Sequence, residues 1–329
     1  MIFTRRDIVK LGLAAVPLAR LNSLAAFAQP NSNFHGVQIG IIVSPYNFPT
    51  VPVPADQFLN TLVQLGISAV ELQDVRVETY AGAPSSPRQG YSGSQGEHGP
   101  HPLTTQELAE VKRKQAEALT QWRLSSVSAI LDRCKALRKL YHDAGVKIYA
   151  FRIGDMTMEM PDAEYDYFFN AAKALGANQI TVELPSDPNL SKRVGDLAAQ
   201  HKIMMGYHNH TQVNAHSWDA ALAQSKYNGI QLDIGHFVAA IKASPIPFIK
   251  EHHDRITSLH LKDRKYQSEG GQNLPWGEGN TPVKEVLQLM QTEHYKFPAG
   301  IELEYKIPAG STLREEIAKC LQFCRDALA

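Results

Sequence analysis

Four short apolar stretches in the second half of the chain each end in a residue that can bind a metal ion. These residues are Glu183, Asp233, His260 and Glu302. Each stretch is rich in β-branched and other apolar residues, which is typical of a buried strand. Three carboxylates and one imidazole make an oxygen-rich, mixed ligand set that suits a divalent cation. The sequence therefore predicts a metal centre, provided that the fold brings these four strand ends together.

Further polar residues lie two positions apart on the same predicted strands. The pairs are His208 with His210, His260 with Lys262, and Glu302 with Glu304. Side chains two positions apart on a strand point to the same face, so both members of each pair can reach one site. Lys262 can bind a carbonyl or alkoxide oxygen of a substrate, or form a salt bridge with a carboxylate. Glu304 is the alternative to Glu302 as a ligand.

Two more candidates follow predicted strands. His236 comes three residues after Asp233, where it can bind the metal or a substrate hydroxyl. Trp276 begins a glycine-containing segment, residues 276–280, which is typical of a tight turn near the mouth of a barrel. Its indole can stack on the face of a sugar or close the rim. A phosphate-binding loop is disfavoured because Glu278 would repel a phosphate.

The elements that must position these residues alternate between strand and helix from position 37 to the end. The predicted strands are residues 37–43, 69–72, 147–151, 180–183, 203–210, 229–233, 256–260 and 299–302. Eight strands alternate with helices, and no change of composition along the chain indicates a second domain. This pattern predicts a single (β/α)8 TIM barrel. The carboxyl ends of its strands would meet at one mouth.

One long insertion interrupts this alternation after the second strand. Residues 79–103 are rich in glycine, proline and serine and have no hydrophobic period. Such a loop would be a lid over the mouth, an arm in a homo-oligomer, or a disordered segment. A capping box at 104–107 then opens a long helical stretch.

Composition excludes several partners. The 329 residues contain 33 Lys plus Arg and 33 Asp plus Glu, with no basic stripe, which argues against nucleic acid and anionic membranes as partners. A homo-oligomer stays open. The three cysteines have no disulfide-like or metal-binding spacing and are interpreted as buried thiols.

The first 28 residues have the composition of an export signal. Arg5 and Arg6 precede a mildly apolar stretch, and Ala26-Phe27-Ala28 provides a cleavage site. This pattern predicts a twin-arginine signal peptide, a mature barrel domain at 29–329, and a periplasmic or secreted location. The alternative is an ordinary N-terminal helix with two chance arginines.

Five motifs in order along the chain resemble those of one family. They are Y-H-N-H at 207–210, L-D-x-G-H at 232–236, L-H-L-K-D at 259–263, G-E-G at 277–279 and I-E-x-E at 301–304. Together they resemble the sugar phosphate isomerase/epimerase family, a group of xylose-isomerase-like TIM barrels. The resemblance covers most of residues 37–329 and is specific for the superfamily, but it does not name a substrate.

The resemblance implies one divalent ion, often manganese, with Mg²⁺, Co²⁺ and Zn²⁺ as alternatives. Carried over to this sequence, its ligands become Glu183, Asp233, His260 and Glu302. Epimerases of this group commonly place the first glutamate on strand five, where this chain has His208, and Glu183 on strand four is taken as the substitute. If His208 or His210 were the ligand, the site would contain more nitrogen and suit zinc or cobalt better.

The resemblance also implies an isomerase or epimerase of a keto sugar or keto-glycoside that acts through an enediolate. The expected catalytic residues are Glu183, Glu302, His236 and Lys262. The expected substrate-binding residues are His208, His210, Trp276 and Glu304. The alternatives are a metal-dependent lyase or dehydratase on a 3-keto-glycoside, and a non-catalytic sugar-binding protein. A three-zinc DNA-repair barrel is disfavoured, because the first three strands supply no histidine.

Overall fold

The computed structural model of the protein describes residues 29–43, 54–84 and 105–329. The strands are β1 (Asn33–Phe34), β2 (Val37–Val43), β3 (Ala69–Gln73), β4 (Lys147–Arg152), β5 (Gln179–Glu183), β6 (Met204–His208), β7 (Asn228–Asp233), β8 (Ile256–Leu261), β9 (Asp263–Arg264), β10 (Asn273–Leu274) and β11 (Ala299–Ile301). The helices are α1 (Ala55–Leu65), α2 (Asp74–Ala81), α3 (Thr105–Ser125), α4 (Val127–Asp143), α5 (Asp162–Leu175), α6 (Pro188–His201), α7 (Asp219–Gln224), α8 (Ile234–Ile241), α9 (Ile246–His252), α10 (Val283–Thr292) and α11 (Leu313–Ala327).

Eight parallel strands close into a ring. Their order is β2-β3-β4-β5-β6-β7-β8-β11, and β11 pairs back onto β2. The strands β9 and β10 form a separate antiparallel hairpin, and β1 pairs antiparallel with β2. The predicted single (β/α)8 barrel is confirmed, and all eight predicted strands are ring strands. The carboxyl ends of these strands form one mouth.

The main apolar core lies between the ring of strands and the surrounding helices. Leu62 of α1, Phe168 of α5 and Leu287 of α10 are buried in one continuous apolar cluster with strand residues such as Ile39 and Ile41. Each such side chain contributes about 1.5–3 kcal/mol when it is fully buried. This packing holds the strand ends in fixed positions, which a multi-strand site requires.

The inside of the barrel is polar below the mouth. Five buried polar residues from four different strands are Glu71, Thr181, Gln231, Ser258 and His260. Burying such groups without hydrogen bonds would be costly, so the interior depends on a satisfied network. This network forms the floor of the candidate site.

The insertion after the second strand begins with structure that the sequence did not predict. Helix α2 extends to Ala81 and so covers the first residues of the predicted loop, whereas residues 85–104 lie outside the described ranges. Beyond them, α3 is fastened to the barrel by the buried Arg123, which contacts Glu78 at 2.7 Å and Glu164 at 2.6 Å. Helix α3 ends at Ser125 and α4 begins at Val127, so Ser126 separates the two helices.

Residues 1–28 also lie outside the described ranges, so the export signal stays a prediction. Among the helices that the structure describes, none combines the length and the apolar character needed to cross a membrane.

Candidate metal centre

Asp233 is held rigidly at the end of β7. Its Oδ1 accepts a hydrogen bond of 2.7 Å from the backbone N–H of His236 and thereby caps α8. The Asn209 amide accepts from the backbone N–H of Asp233 at 2.9 Å and donates to its carbonyl at 3.1 Å. Gly235 permits a close approach, since a Cβ there would lie 2.7 Å from the Lys262 carbonyl oxygen. The other carboxylate oxygen of Asp233, Oδ2, accepts no such hydrogen bond but lies 3.0 Å from the Lys262 ammonium nitrogen.

His208, Asp233 and His260 bring one ligand atom each within 4.8 Å of one another. All three residues are buried. Nδ1 of His208 is buried without a hydrogen-bond partner, and burial together with the charge of Arg152 lowers the pKa of His208 well below its ordinary value. A neutral imidazole with an unused nitrogen next to a carboxylate fits a divalent cation.

The ammonium group of Lys262 lies at the centre of the carboxylates. Its Nζ is 3.0 Å from Asp233, 3.1 Å from Glu302 and 2.6 Å from Glu304. Nε2 of His236 lies 3.0 Å from the same nitrogen. Burial alone would lower the pKa of Lys262, but the three carboxylates raise it, so the side chain stays a cation.

The imidazole of His260 lies between two carboxylates. Nδ1 is 2.9 Å from Glu302 Oε2, and Nε2 is 2.9 Å from Glu71 Oε2. Burial alone would lower the pKa of His260, but Glu302 and Glu71 raise it to about 10. Glu302, despite its burial, has a pKa well below the ordinary value because of Lys262 and His260.

Glu183 forms its ion pairs with residues other than His260 and Lys262. Its carboxylate pairs with Arg152 of β4 and with Nδ1 of His210, the latter at 3.0 Å. The glutamate raises the pKa of His210, which is 51% exposed at the mouth. Three of the four predicted ligands, Asp233, His260 and Glu302, therefore lie together. His260 contacts Glu302, and Lys262 contacts both Glu302 and Asp233. The fourth, Glu183, has other partners.

Three histidines line one side of the mouth. His208, His210 and His236 also bring ligand atoms within 4.8 Å of one another, and the rings of His210 and His236 are 4.6 Å apart. However, both nitrogens of His236 face cations, Lys262 at Nε2 and Arg264 at Nδ1. Burial and the charge of Lys262 strongly lower the pKa of His236, so its ring is neutral.

The G-E-G segment is organised by Asp263, the last residue of the L-H-L-K-D motif. The Asp263 carboxylate accepts from the backbone N–H groups of Gly277 at 2.8 Å, Gly279 at 2.9 Å and Thr281 at 3.1 Å. A Cβ on Gly279 would lie 2.1 Å from that carboxylate, so the glycine is required. Trp276 packs edge-on against Phe323 of α11, with ring centroids 5.7 Å apart.

Four residues of the site were missed from the sequence: Glu71, Arg152, Asn209 and Arg264. A weak signal existed for two of them. Glu71 is a charged residue within the apolar strand β3, and Arg152 directly follows the apolar part of β4. Neither signal identifies a partner without knowledge of which strands are neighbours.

A closed parallel barrel with carboxylates and imidazoles at the carboxyl ends of its strands defines a TIM barrel with a candidate divalent-metal site. The chain belongs to the xylose isomerase-like TIM barrel family, whose family model matches residues 117–325. A search of the curated proteins found no match to the sequence.

Solved structures with the same fold come from several bacteria. The probable 3-DHS dehydratase AsbF of Bacillus anthracis has 12% identity and a TM-score of 0.59, with 86% of this chain and 97% of that chain covered. A sugar phosphate isomerase/epimerase of Parabacteroides distasonis has 16% identity and a TM-score of 0.56, with 89% and 95% covered. A xylose isomerase domain protein of Planctomyces limnophilus has 14% identity and a TM-score of 0.56, with 90% and 98% covered. At these identities the likeness shows the fold alone.

Proposed function

We propose that the protein is a divalent-metal-dependent isomerase or epimerase of a keto sugar or keto-glycoside, acting through an enediolate. The observation that carries this proposal is the convergence of His208, Asp233 and His260, whose ligand atoms lie within 4.8 Å of one another. The buried, unpartnered Nδ1 of His208 supports it, because such a nitrogen is costly to bury without a ligand.

The residues that would hold the ion are His208, Asp233, His260 and Glu302. His208, Asp233 and His260 lie on β6, β7 and β8, and Glu302 directly follows β11, so the four come from consecutive strands of the ring. His208 replaces Glu183 in this assignment, because the Glu183 carboxylate is already paired with Arg152 and His210. Two imidazoles and two carboxylates suit Mn²⁺, Co²⁺ or Zn²⁺ better than Mg²⁺.

When bound, the ion would supply a Lewis acid that polarises the substrate carbonyl and stabilises negative charge on the neighbouring oxygens. Glu302 would accept the proton from the carbon next to the carbonyl, since its low pKa keeps it ionised. Lys262 would donate a hydrogen bond to a substrate oxygen, and the neutral His236 would orient a hydroxyl.

A second proton-transfer group is needed on the opposite face of the substrate for epimerisation. Glu183 is the last residue of β5, which lies four strands away from β11 in the eight-stranded ring and therefore opposite Glu302 across the mouth. The Glu183–His210 pair is exposed enough to meet a substrate. We assign the return of the proton to this pair, whereas Trp276 and Glu304 stay candidate contacts for the carbohydrate.

A lyase or dehydratase of a 3-keto-glycoside is the second candidate. The raised pKa of His210 favours it, because a protonated imidazole at the mouth can donate a proton to a leaving hydroxyl or alkoxide. Elimination would then follow the same first proton abstraction by Glu302. Product analysis separates the two reactions, since only elimination releases water or an alcohol.

The test combines metal binding with hydrogen exchange. Wild-type protein should bind about one Mn²⁺ or Co²⁺ per chain, and in D₂O it should introduce deuterium next to the carbonyl of one member of a panel of keto sugars and 3-keto-glycosides. Asp233→Asn should lose both properties, whereas Asp254→Asn, at an exposed aspartate, should keep them. Sugar binding without any exchange would contradict an enzyme, and exchange that survives chelation would contradict a metal enzyme.

We also propose that the protein is exported. Arg5, Arg6 and the Ala26-Phe27-Ala28 site support this location, and an exported enzyme would more readily meet a free or glycosidic keto sugar than a phosphorylated intermediate. Cell fractionation and N-terminal sequencing should find a periplasmic or secreted chain beginning at Gln29. A full-length chain retained in the cytoplasm would contradict this.

A further inference from the structure

His260 offers two nitrogens, and the structure indicates which of them is available to an ion. Nδ1 faces Glu302 Oε2 at 2.9 Å, and this carboxylate oxygen is also 3.1 Å from Lys262 Nζ. The same ammonium group is 3.0 Å from Asp233 Oδ2. The Nδ1 side of the ring is therefore the side on which two other proposed ligands, Glu302 and Asp233, lie.

The Nε2 side faces Glu71, which is held by two hydrogen-bond donors. Thr181 Oγ1 donates to Glu71 Oε1 at 2.5 Å, and Gln231 Nε2 donates to Glu71 Oε2 at 2.8 Å. The Glu71 side chain has no exposed surface, so its position is fixed by the barrel interior. Glu71 Oε2 lies 2.9 Å from His260 Nε2, so this fixed carboxylate faces the outer nitrogen of the ring.

We propose that Glu71 is a positioning residue of the metal centre. It accepts the hydrogen of His260 Nε2 and so fixes the tautomer in which Nδ1 is the free ligand nitrogen. This inference rests on the proposed metal site and adds a residue that no motif of the chain contains. A carboxylate hydrogen-bonded to the outer nitrogen of a ligating histidine also orients the ring and increases its basicity.

The contribution of Glu71 is measurable as metal affinity. Removal of such an outer carboxylate typically weakens metal binding by about 10–100-fold. In Glu71→Gln the neutral amide has the same size as the carboxylate. Its NH₂ group is a donor, however, and it faces Thr181 and Gln231, which are donors themselves. We therefore expect the Co²⁺ dissociation constant to rise by about 10–100-fold.

The experiment titrates Co²⁺ into metal-free full-length protein and records the absorption of the bound ion. The matched control is Glu316→Gln, since Glu316 is also buried and accepts a hydrogen bond, from Tyr305 at 2.8 Å, but lies on α11. Wild-type and control proteins should bind Co²⁺ equally. If Glu71→Gln does not fold, Thr181→Val replaces it, and we expect a smaller, several-fold loss because one anchor of Glu71 is removed.

A second readout does not depend on stability. Long-range nitrogen-15 spectra of the Zn²⁺-loaded wild-type protein, assigned with His260→Asn, should show His260 protonated at Nε2 and metal-bound at Nδ1. Metal bound at Nε2 would overturn the proposal, as would Co²⁺ affinity in a folded Glu71→Gln protein within twofold of wild type. Those two results would leave the proposed metal enzyme intact. Absence of metal binding in the wild-type protein, in contrast, would overturn both this proposal and the proposed function.

Discussion

Lys262 places a positive charge among the carboxylates of the proposed metal centre, so it should compete with the ion. Its ammonium group contacts Asp233 and Glu302, both proposed ligands, and also Glu304. A divalent ion bound by the same carboxylates would be repelled by this fixed charge. We therefore predict that Lys262→Met binds Mn²⁺ more tightly than wild type, although it should lose turnover.

The magnitude follows from the ion pairs. At about 3 Å and an effective dielectric constant of about 20, one pair is worth roughly 5 kcal/mol before desolvation is counted. Breaking a buried pair by removing one partner typically costs about 3–5 kcal/mol. The metal-free variant should lose stability of this order. If binding of an ion restores about half of this lost stability, the free energy of binding becomes more favourable by about 2 kcal/mol, which is roughly a 30-fold gain in affinity.

Calorimetric titration with Mn²⁺ measures the affinity, and thermal unfolding with and without chelator measures the stability. Lys135→Met is the matched control, because the Lys135 side chain is 66% exposed and its pairing with Asp132 should contribute little. The variant should unfold at a lower temperature than wild type in chelator and show a larger upward shift with Mn²⁺. Weaker Mn²⁺ binding in Lys262→Met would refute competition, and an unchanged metal-free stability would refute the charge argument.

Two further predictions concern proton release and the anchoring of α3. Glu302 and Glu71 raise the pKa of His260 to about 10 against the effect of burial, so an ion must displace a proton from this ring; between pH 7 and 9, binding should release about one proton and strengthen about tenfold per pH unit. Calorimetry in buffers of different ionisation enthalpy measures this release, and pH-independent affinity would contradict it. Arg123→Met should lower the free energy of unfolding by about 3–5 kcal/mol because two buried glutamates lose their cationic partner. In urea unfolding, Arg113→Met, at an exposed helical ion pair, should change stability by less than about 0.5 kcal/mol, and equal losses would be contrary to this reasoning.

The barrel was predictable because its signal is repeated eight times. Each ring strand is a short apolar stretch that is followed by a helical segment. The helices bury their apolar faces by packing against the outside of the ring of strands. The alternation of side chains on a strand also predicted that Lys262 and the two glutamates of the last strand would reach the same space, and the structure has them in contact.

The contacts of Glu183 were not predictable in the same way. Its partner Arg152 is on the neighbouring strand β4, where it pairs in register with Thr181, and register is not encoded by apolar periodicity. Helix α2 was missed for a related reason. It buries the charged residues Arg76 and Glu78, and the partner of Glu78 is Arg123, 45 positions away, so no hydrophobic period marks this helix.

The pairing of β11 with β2 determines when a working site can exist during synthesis. These strands join the beginning of the described barrel to residues 299–301, with Ile39 beside Ala299 and Ile41 beside Ile301. Until the ribosome has released this last strand, β2 and β8 present open edges and His260 lacks its contact with Glu302. Any ion that needs the complete ligand set is therefore acquired only after β11 has been synthesised and has joined the ring, as a step that follows the folding of the other strands.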